Sequence, residues 1–326
     1  MSEQQQYEGD RWTKQSISIL EQLNWNQLGS ANFDIPCFKK PKHGTGKSQE
    51  RKNDHGIDSI FSYFDPFLKE NVGVIVESKK RVWSGVNTST IQGFVEQLLM
   101  TIECAALSED IQSLGGENVN TGLLMIWCSS LNDYNSAKID EYLSNIKLTN
   151  RKTPITIYIA TNREILRWCS LIEYLNSIKE SSKVSSFEFF YPSDYFGNGQ
   201  TMGISKPHLS LIQMFSNYIF ARSKEEVRDK DGVRYRDVNH VFFYTNPTKQ
   251  ELTFMYQLVQ KFQLESGHEL RIHFHGEQSK YRSHIEAFLR GKKEEFRKND
   301  SYLEITFNYL TELKDVPEKY KFREEV

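Results

Sequence analysis

What most restricts the fold of this chain is a set of strand-length apolar runs alternating with helical patterns. Residues 122–128 (GLLMIWC) are a continuous apolar run of strand length, and 72–76 and 154–160 (PITIYIA) read as further largely apolar strands. Between and around them lie amphipathic segments. Residues 11–23 weight Trp12, Ile17, Ile19, Leu20 and Leu23 to one side. Asn87-Thr88-Ser89 can cap a helix on which Ile91, Phe94, Val95, Leu98, Leu99 and Ile102 recur at helical spacing. Residues 136–146 and 163–178 read as further helices, and 186–191 (SFEFFY) as one more short strand. Strands apolar throughout must be covered on both faces, so the spacing predicts an α/β domain with helices flanking its sheet.

The chain has 326 residues, longer than a typical single domain, and two domains are expected. Residues 192–206 are rich in Gly, Ser and Pro and mark a break. The expected division is 1–195 and 206–326. Past the break, 207–222 reads as helical and 224–236 (KEEVRDKDGVRYR) as a solvated charged linker. A β-α-β-α-β series follows, with strands from His240, Glu269 and Tyr302 and helices at 250–265 and 278–290, giving a second, smaller α/β domain.

A formal net charge of −2 excludes a basic nucleic-acid coat, so any contact with DNA has to come from local patches. Cys37, Cys104, Cys128 and Cys169 form no C-x-x-C pair and each lies in or near an apolar run. They read as buried reduced thiols, not as a disulfide framework or a zinc ribbon. The N-terminus lacks a signal-peptide pattern, and no apolar run approaches the roughly 20 residues that span a bilayer. A cytoplasmic protein without membrane association is expected.

Residues 55–81 (HGIDSIFSYFDPFLKENVGVIVESKKR) read as two strands joined by a turn at Asp65-Pro66 and Lys69-Glu70-Asn71. Alternate residues share a strand face, so Glu77 and Lys79 project together while Ser78 points away. If Phe64 pairs near Asn71, Asp58 lies opposite Glu77 on the same face. Asp65 competes as the first acid, but opposing Glu77 would leave no room for its own turn. Two carboxylates and a backbone carbonyl, that of Ser78, suit Mg²⁺ or Mn²⁺. Such an ion polarises a phosphodiester and activates water. Lys79, protonated beside two acids, is suited to orienting that water and stabilising developing charge. E-x-K alone is weak, since it recurs at Glu50-Arg51-Lys52 and Glu312-Leu313-Lys314. A plain ion pair of Glu77 with Lys79 or Lys80 is the competing reading.

A helix, then G-x-D on one strand, then an apolar strand ending in E-x-K and a further helix resembles the PD-(D/E)xK nuclease superfamily. The resemblance covers roughly residues 11–107, with Ile57 where the motif's proline would stand. It implies a restriction-endonuclease-like N-terminal domain with a mixed sheet. It also implies Mg²⁺-dependent endonucleolytic hydrolysis of DNA by Asp58, Glu77 and Lys79. Members often carry a first-helix glutamate, for which Glu8 and Glu21 are candidates, and some place a glutamine on the following helix, where Gln92 and Gln97 stand. The RecB-like Q-x-x-x-Y is not met, since Thr101 occupies the tyrosine position. NWNQLGSANFDIPC and HGIDSIFSYFDP further resemble nuclease subunits of two-gene bacterial anti-phage systems of the GAPS group. That likeness implies phage DNA as target and a companion protein subunit; control by a partner or by homodimerisation is expected. A non-catalytic DNA-binding or scaffold subunit that keeps the fold is the alternative.

Lys39, Lys40, Lys42, Lys47, Arg51 and Lys52 crowd the loop before Asp58 and are candidates for contacts with the DNA backbone. Gly44-Thr45-Gly46-Lys47-Ser48 only mimics a phosphate-binding loop, with Pro41 where a glycine is required. His273, His275 and His284 read as surface histidines and Phe242, Phe243 and Tyr244 as core strand.

Overall fold

The computed structural model describes residues 3–44, 50–116, 118–130, 132–148, 154–181, 183–192, 203–230, 232–299, 303–317 and 320. The chain divides into two compact units, Met1–Leu166 with Lys314–Val326, and Arg167–Leu313. The elements are α1 (Glu3–Gln22), β1 (Asn26–Gln27), β2 (Phe33–Ile35), β3 (His55–Ile57), β4 (Ser59–Asp65), β5 (Glu70–Arg81), α2 (Thr88–Ala105) and α3 (Glu109–Ser113). They continue with β6 (Val119–Cys128), α4 (Ser136–Ser144), β7 (Thr156–Ala160), α5 (Asn162–Glu180), β8 (Val184–Pro192) and β9 (Gly203–Lys206). The last are α6 (Leu211–Met214), β10 (Tyr218–Asp229), β11 (Gly232–Phe243), α7 (Lys249–Lys261), β12 (Glu269–Phe274), α8 (Gln278–Lys298) and β13 (Glu304–Tyr309).

The first unit is built on a five-stranded sheet of order β1-β4-β5-β6-β7. Its β1, β4 and β5 pair antiparallel, while β5, β6 and β7 run parallel, so the sheet is mixed as expected. α1 covers one face, where Trp12 is fully buried, donates through Nε1 to Met125 O at 3.2 Å and stacks on Trp127. α2 covers the other. Its N-cap is Asn87, whose side chain accepts from Thr90 N, and its Leu98 and Ile102 pack with Ile75, Leu124 and Ile126. The helix lies close because β6 has glycine at the crossing. A Cβ on Gly122 would sit 2.8 Å from Ile102 Cδ1 and 2.9 Å from Leu98 Cδ2. At the strand ends, the Asn162 side chain accepts from Cys128 N at 2.8 Å and donates to Cys128 O at 2.9 Å.

The second unit carries a six-stranded sheet of order β13-β12-β11-β10-β8-β9. Four expectations change here. Residues 186–191, read as a strand of the N-terminal domain, belong to β8, which pairs with β10 in this second sheet. The expected helix at 207–222 is replaced by the short α6 and the start of β10. The charged run 224–236 is no linker: its residues 224–229 and 232–236 form the turn-side half of the β10–β11 hairpin. Its charges are matched across strands: Arg271 Nη2 donates to Glu225 Oε2 and to Glu269 Oε2, both at 2.8 Å, and Arg236 Nη2 donates to Glu269 Oε2 at 2.6 Å. His273 is buried, not superficial, with Nε2 3.0 Å from His240 Nδ1. No helix among the described residues is long and apolar enough to cross a membrane.

Candidate active site

The β4–β5 hairpin pairs Phe64 with Asn71 and Ser59 with Val76, the register on which the opposition of Asp58 and Glu77 depends. Asp65 stays at the turn, where Oδ1 accepts from Phe67 N and Leu68 N and Oδ2 from Tyr63 OH. Asp58 lies between β3 and β4. Those strands pair in different directions, β3 with β2 and β4 with β5, so the chain changes sheet at this residue. Its Oδ2 accepts from the Ser78 amide at 2.7 Å, which brings the carboxylate to the end of β5 beside Glu77.

Parity along β5 sets the remaining side chains. Ile75 faces α2, and Glu77 and Lys79 share that face. Lys79 Nζ donates to Glu77 Oε1 and sits 5.9 Å from the Phe94 ring centroid on α2. Lys80, on the opposite face, pairs with Glu8 of α1. Glu77 is only 2% exposed, and its Oε2 is buried without a hydrogen-bond partner. Burial, and then the Asp58 charge, push its carboxyl up to about 7 against the pull of Lys79. Asp58 is raised as well, chiefly by desolvation, while Lys79 and the Ser78 amide oppose the rise. Two neighbouring desolvated acids, one raised by the charge of the other and left with an unanswered oxygen, are what a divalent cation with hard oxygen preference would relieve. The donor set fits such an ion.

The structure treats the supporting residues differently. Asp10 of α1 bears on the site, because its charge adds to the rise in Asp58. It is an aspartate, where the sequence pointed to a first-helix glutamate at Glu8 or Glu21. Glu8 is engaged with Lys80, and Glu21 is exposed in the last turn of α1, roughly 16 Å along the axis from Asp10 at 1.5 Å per residue. Gln92 ties α2 to the segment after α4, exchanging hydrogen bonds of 2.8 Å with Lys147 O and N. Gln97 is half-buried on α2, its carbonyl accepting Thr101 Oγ1. In the basic loop, Lys40, Lys42 and Lys52 are exposed, Lys39 lies 3.5 Å from Glu103 Oε2, and Arg51 folds back onto Asn53 O and Asp54 O. Lys47, with the rest of 45–49, lies outside the described residues.

A mixed sheet between two helices, with an acid at the sheet switch and E-x-K at the end of the neighbouring strand, defines a PD-(D/E)xK nuclease domain. The sequence comparison agrees and goes further. The model of the family described as the GAPS4 protein PD-(D/E)XK nuclease domain matches residues 1–164, half of the chain, and the chain belongs to that family. No curated protein matches the chain.

Proposed function

We propose that this chain is a Mg²⁺-dependent DNA endonuclease of anti-phage defence, acting with a companion protein subunit or a second copy of itself. The observation that carries the reading is the Asp58–Glu77 pair, desolvated, with Glu77 Oε2 unanswered and Lys79 against Glu77 Oε1. Asp58 and Glu77, with the Ser78 carbonyl, would hold the cation, Mg²⁺ or Mn²⁺. When bound, that ion supplies Lewis acidity and an activated water. The protein's own groups do the rest. The Ser78 amide fixes Asp58, and Lys79, held over Phe94, points an ammonium at the acid pair, where it orients the attacking water and offsets charge growing on the phosphate. The exposed Lys40, Lys42 and Lys52 supply sequence-independent contacts to the phosphate backbone. The family's GAPS4 label, together with the resemblance to two-gene systems, supports the defence setting and the companion.

The test is plasmid cleavage by the full chain, with and without its genomic neighbour, across Mg²⁺ and chelator. Lys79→Ala is expected to cut about 10²–10³-fold more slowly, the usual effect of losing one charge-stabilising group. Equal rates for wild type and Lys79→Ala would defeat the enzyme reading and leave a DNA-binding or scaffold subunit.

A further inference from the structure

Four side chains converge in the first unit away from the carboxylate pair: Cys37 and His43 in the segment after β2, His55 at the start of β3, and Cys104 on α2. All four are buried, and one ligand atom from each lies within 4.8 Å of every other. The separations have the form of a tetrahedron's edges. Cys37 Sγ and Cys104 Sγ are 4.0 Å apart, His43 Nδ1 is 3.4 Å from the first and 3.5 Å from the second, and 3.2 Å separate it from His55 Nε2. Zinc bonds to sulfur and to imidazole nitrogen imply tetrahedral edges of about 3.8 Å (S–S), 3.5 Å (S–N) and 3.3 Å (N–N).

Proton placement points the same way. His43 Nε2 lies 2.9 Å from Glu103 Oε2, an acceptor, so the ring's proton belongs there and Nδ1 presents a lone pair to the cluster. The Thr101 hydroxyl donates to Gln97 O at 3.0 Å and is left to accept from His55 Nδ1 at 3.4 Å. His55 Nε2 therefore also turns a lone pair inward. Two lone pairs at 3.2 Å repel unless a Lewis acid lies between them. Cys104 Sγ in turn accepts from the Phe38 amide at 3.3 Å, an outer hydrogen bond of the kind that orients a metal-bound sulfur.

We propose that Cys37, His43, His55 and Cys104 form a closed structural Zn²⁺ site. Two thiolates balance the ion's charge, so the buried centre is neutral overall, and Glu103 and Thr101 fix the tautomers of the two imidazoles as outer hydrogen-bond partners of a metal commonly do. The site fastens the 37–43 segment, which carries Lys39, Lys40 and Lys42, and the start of β3 to α2. It stands independently of the nuclease reading, since all four positions of its tetrahedron are filled by protein and none is left for water or substrate.

The test uses the full chain, tag-free and purified without chelator. Elemental analysis is expected to find one zinc per chain. Refolding in Co²⁺ is expected to give the intense visible bands of tetrahedral cobalt with a thiolate charge-transfer band. Cys104→Ser and His43→Ala should lose both signatures, whereas Cys169→Ser, a buried cysteine outside the cluster, should keep them. If the cluster variants do not fold, the wild-type zinc content and cobalt spectrum decide. Wild type without zinc and with only the weak spectrum of octahedral cobalt would overturn the proposal, as would a Cys37–Cys104 disulfide.

Discussion

Replacing Glu77 by glutamine separates what this residue does for chemistry from what it does to the fold. Its carboxyl is 2% exposed and lifted from 4.5 to about 7, so ionising it in the folded chain is unfavourable. At about 1.4 kcal/mol for each tenfold change in acidity, the charge costs on the order of 3 kcal/mol above pH 7. The shift is already net of the Lys79 attraction, so Glu77→Gln is expected to be more stable by about that same 3 kcal/mol. For a unit of this size that is a gain in Tm of roughly 6–12 °C at pH 8 without added Mg²⁺. The sign follows from the direction of the shift. An acid whose pKa is raised on folding keeps its stability contribution below its unfolded pKa and loses it as pH climbs through the folded one. The gap between Glu77→Gln and wild type should therefore be nearly closed at pH 4.5 and open fully by about pH 7.5. Mg²⁺ should narrow it by stabilising wild type alone, while cleavage by the variant falls about 100-fold or more. Thermal unfolding on a pH grid, with and without Mg²⁺, measures all of this. A variant less stable than wild type at pH 8, or a gap that does not change with pH, would refute the account of a desolvated, cation-demanding acid.

Other outcomes follow from the same contacts. Asp10→Asn removes a negative charge that raises Asp58, so the acid limb of the cleavage profile should move to lower pH while Glu8→Gln leaves it in place. Asn162→Ala strips both the amide and the carbonyl of Cys128 of their side-chain partner in a buried setting and should destabilise the first unit by about 2–4 kcal/mol in denaturant titrations. Gly122→Ala drives a methyl into Leu98 and Ile102 and should cost about 1–3 kcal/mol by the same measurement.

The hairpin was legible in the sequence because local rules decide it. The Asp65-Pro66 turn, the period-two alternation and the apolar run of β5 leave one register that buries the right residues, and Phe64 pairs with Asn71 accordingly. The second unit was harder to read. β10 and β11 carry so many charges that composition alone suggests a solvated segment. The Glu225, Arg236, Glu269 and Arg271 network answers part of that charge across the neighbouring strands β10, β11 and β12, and its β12 members lie too far along the chain for a local pattern to reveal. The Cys37–His43–His55–Cys104 cluster was invisible for a related reason. Its members come from a loop, a strand and a helix, with none of the close cysteine spacing that marks a metal knuckle. Asp10 was missed because an exposed acid on a helix carries no local sign of what it faces.

The change of sheet at Asp58 has a consequence for how the site tolerates variation. The β4–β5 ladder ends at Ser59 and Val76; beyond it β5 stays paired with β6, but on the β4 side the Ser78 amide meets the Asp58 carboxylate in place of a strand. That side chain thus stands in for a missing rung of backbone, and the strand pairing itself aims the acid. Asparagine at this position can keep the rung while losing the charge, whereas alanine removes both. Catalytic loss and local fraying of β5 are therefore separable at this one residue, and amide exchange at Ser78 is the place to see them part.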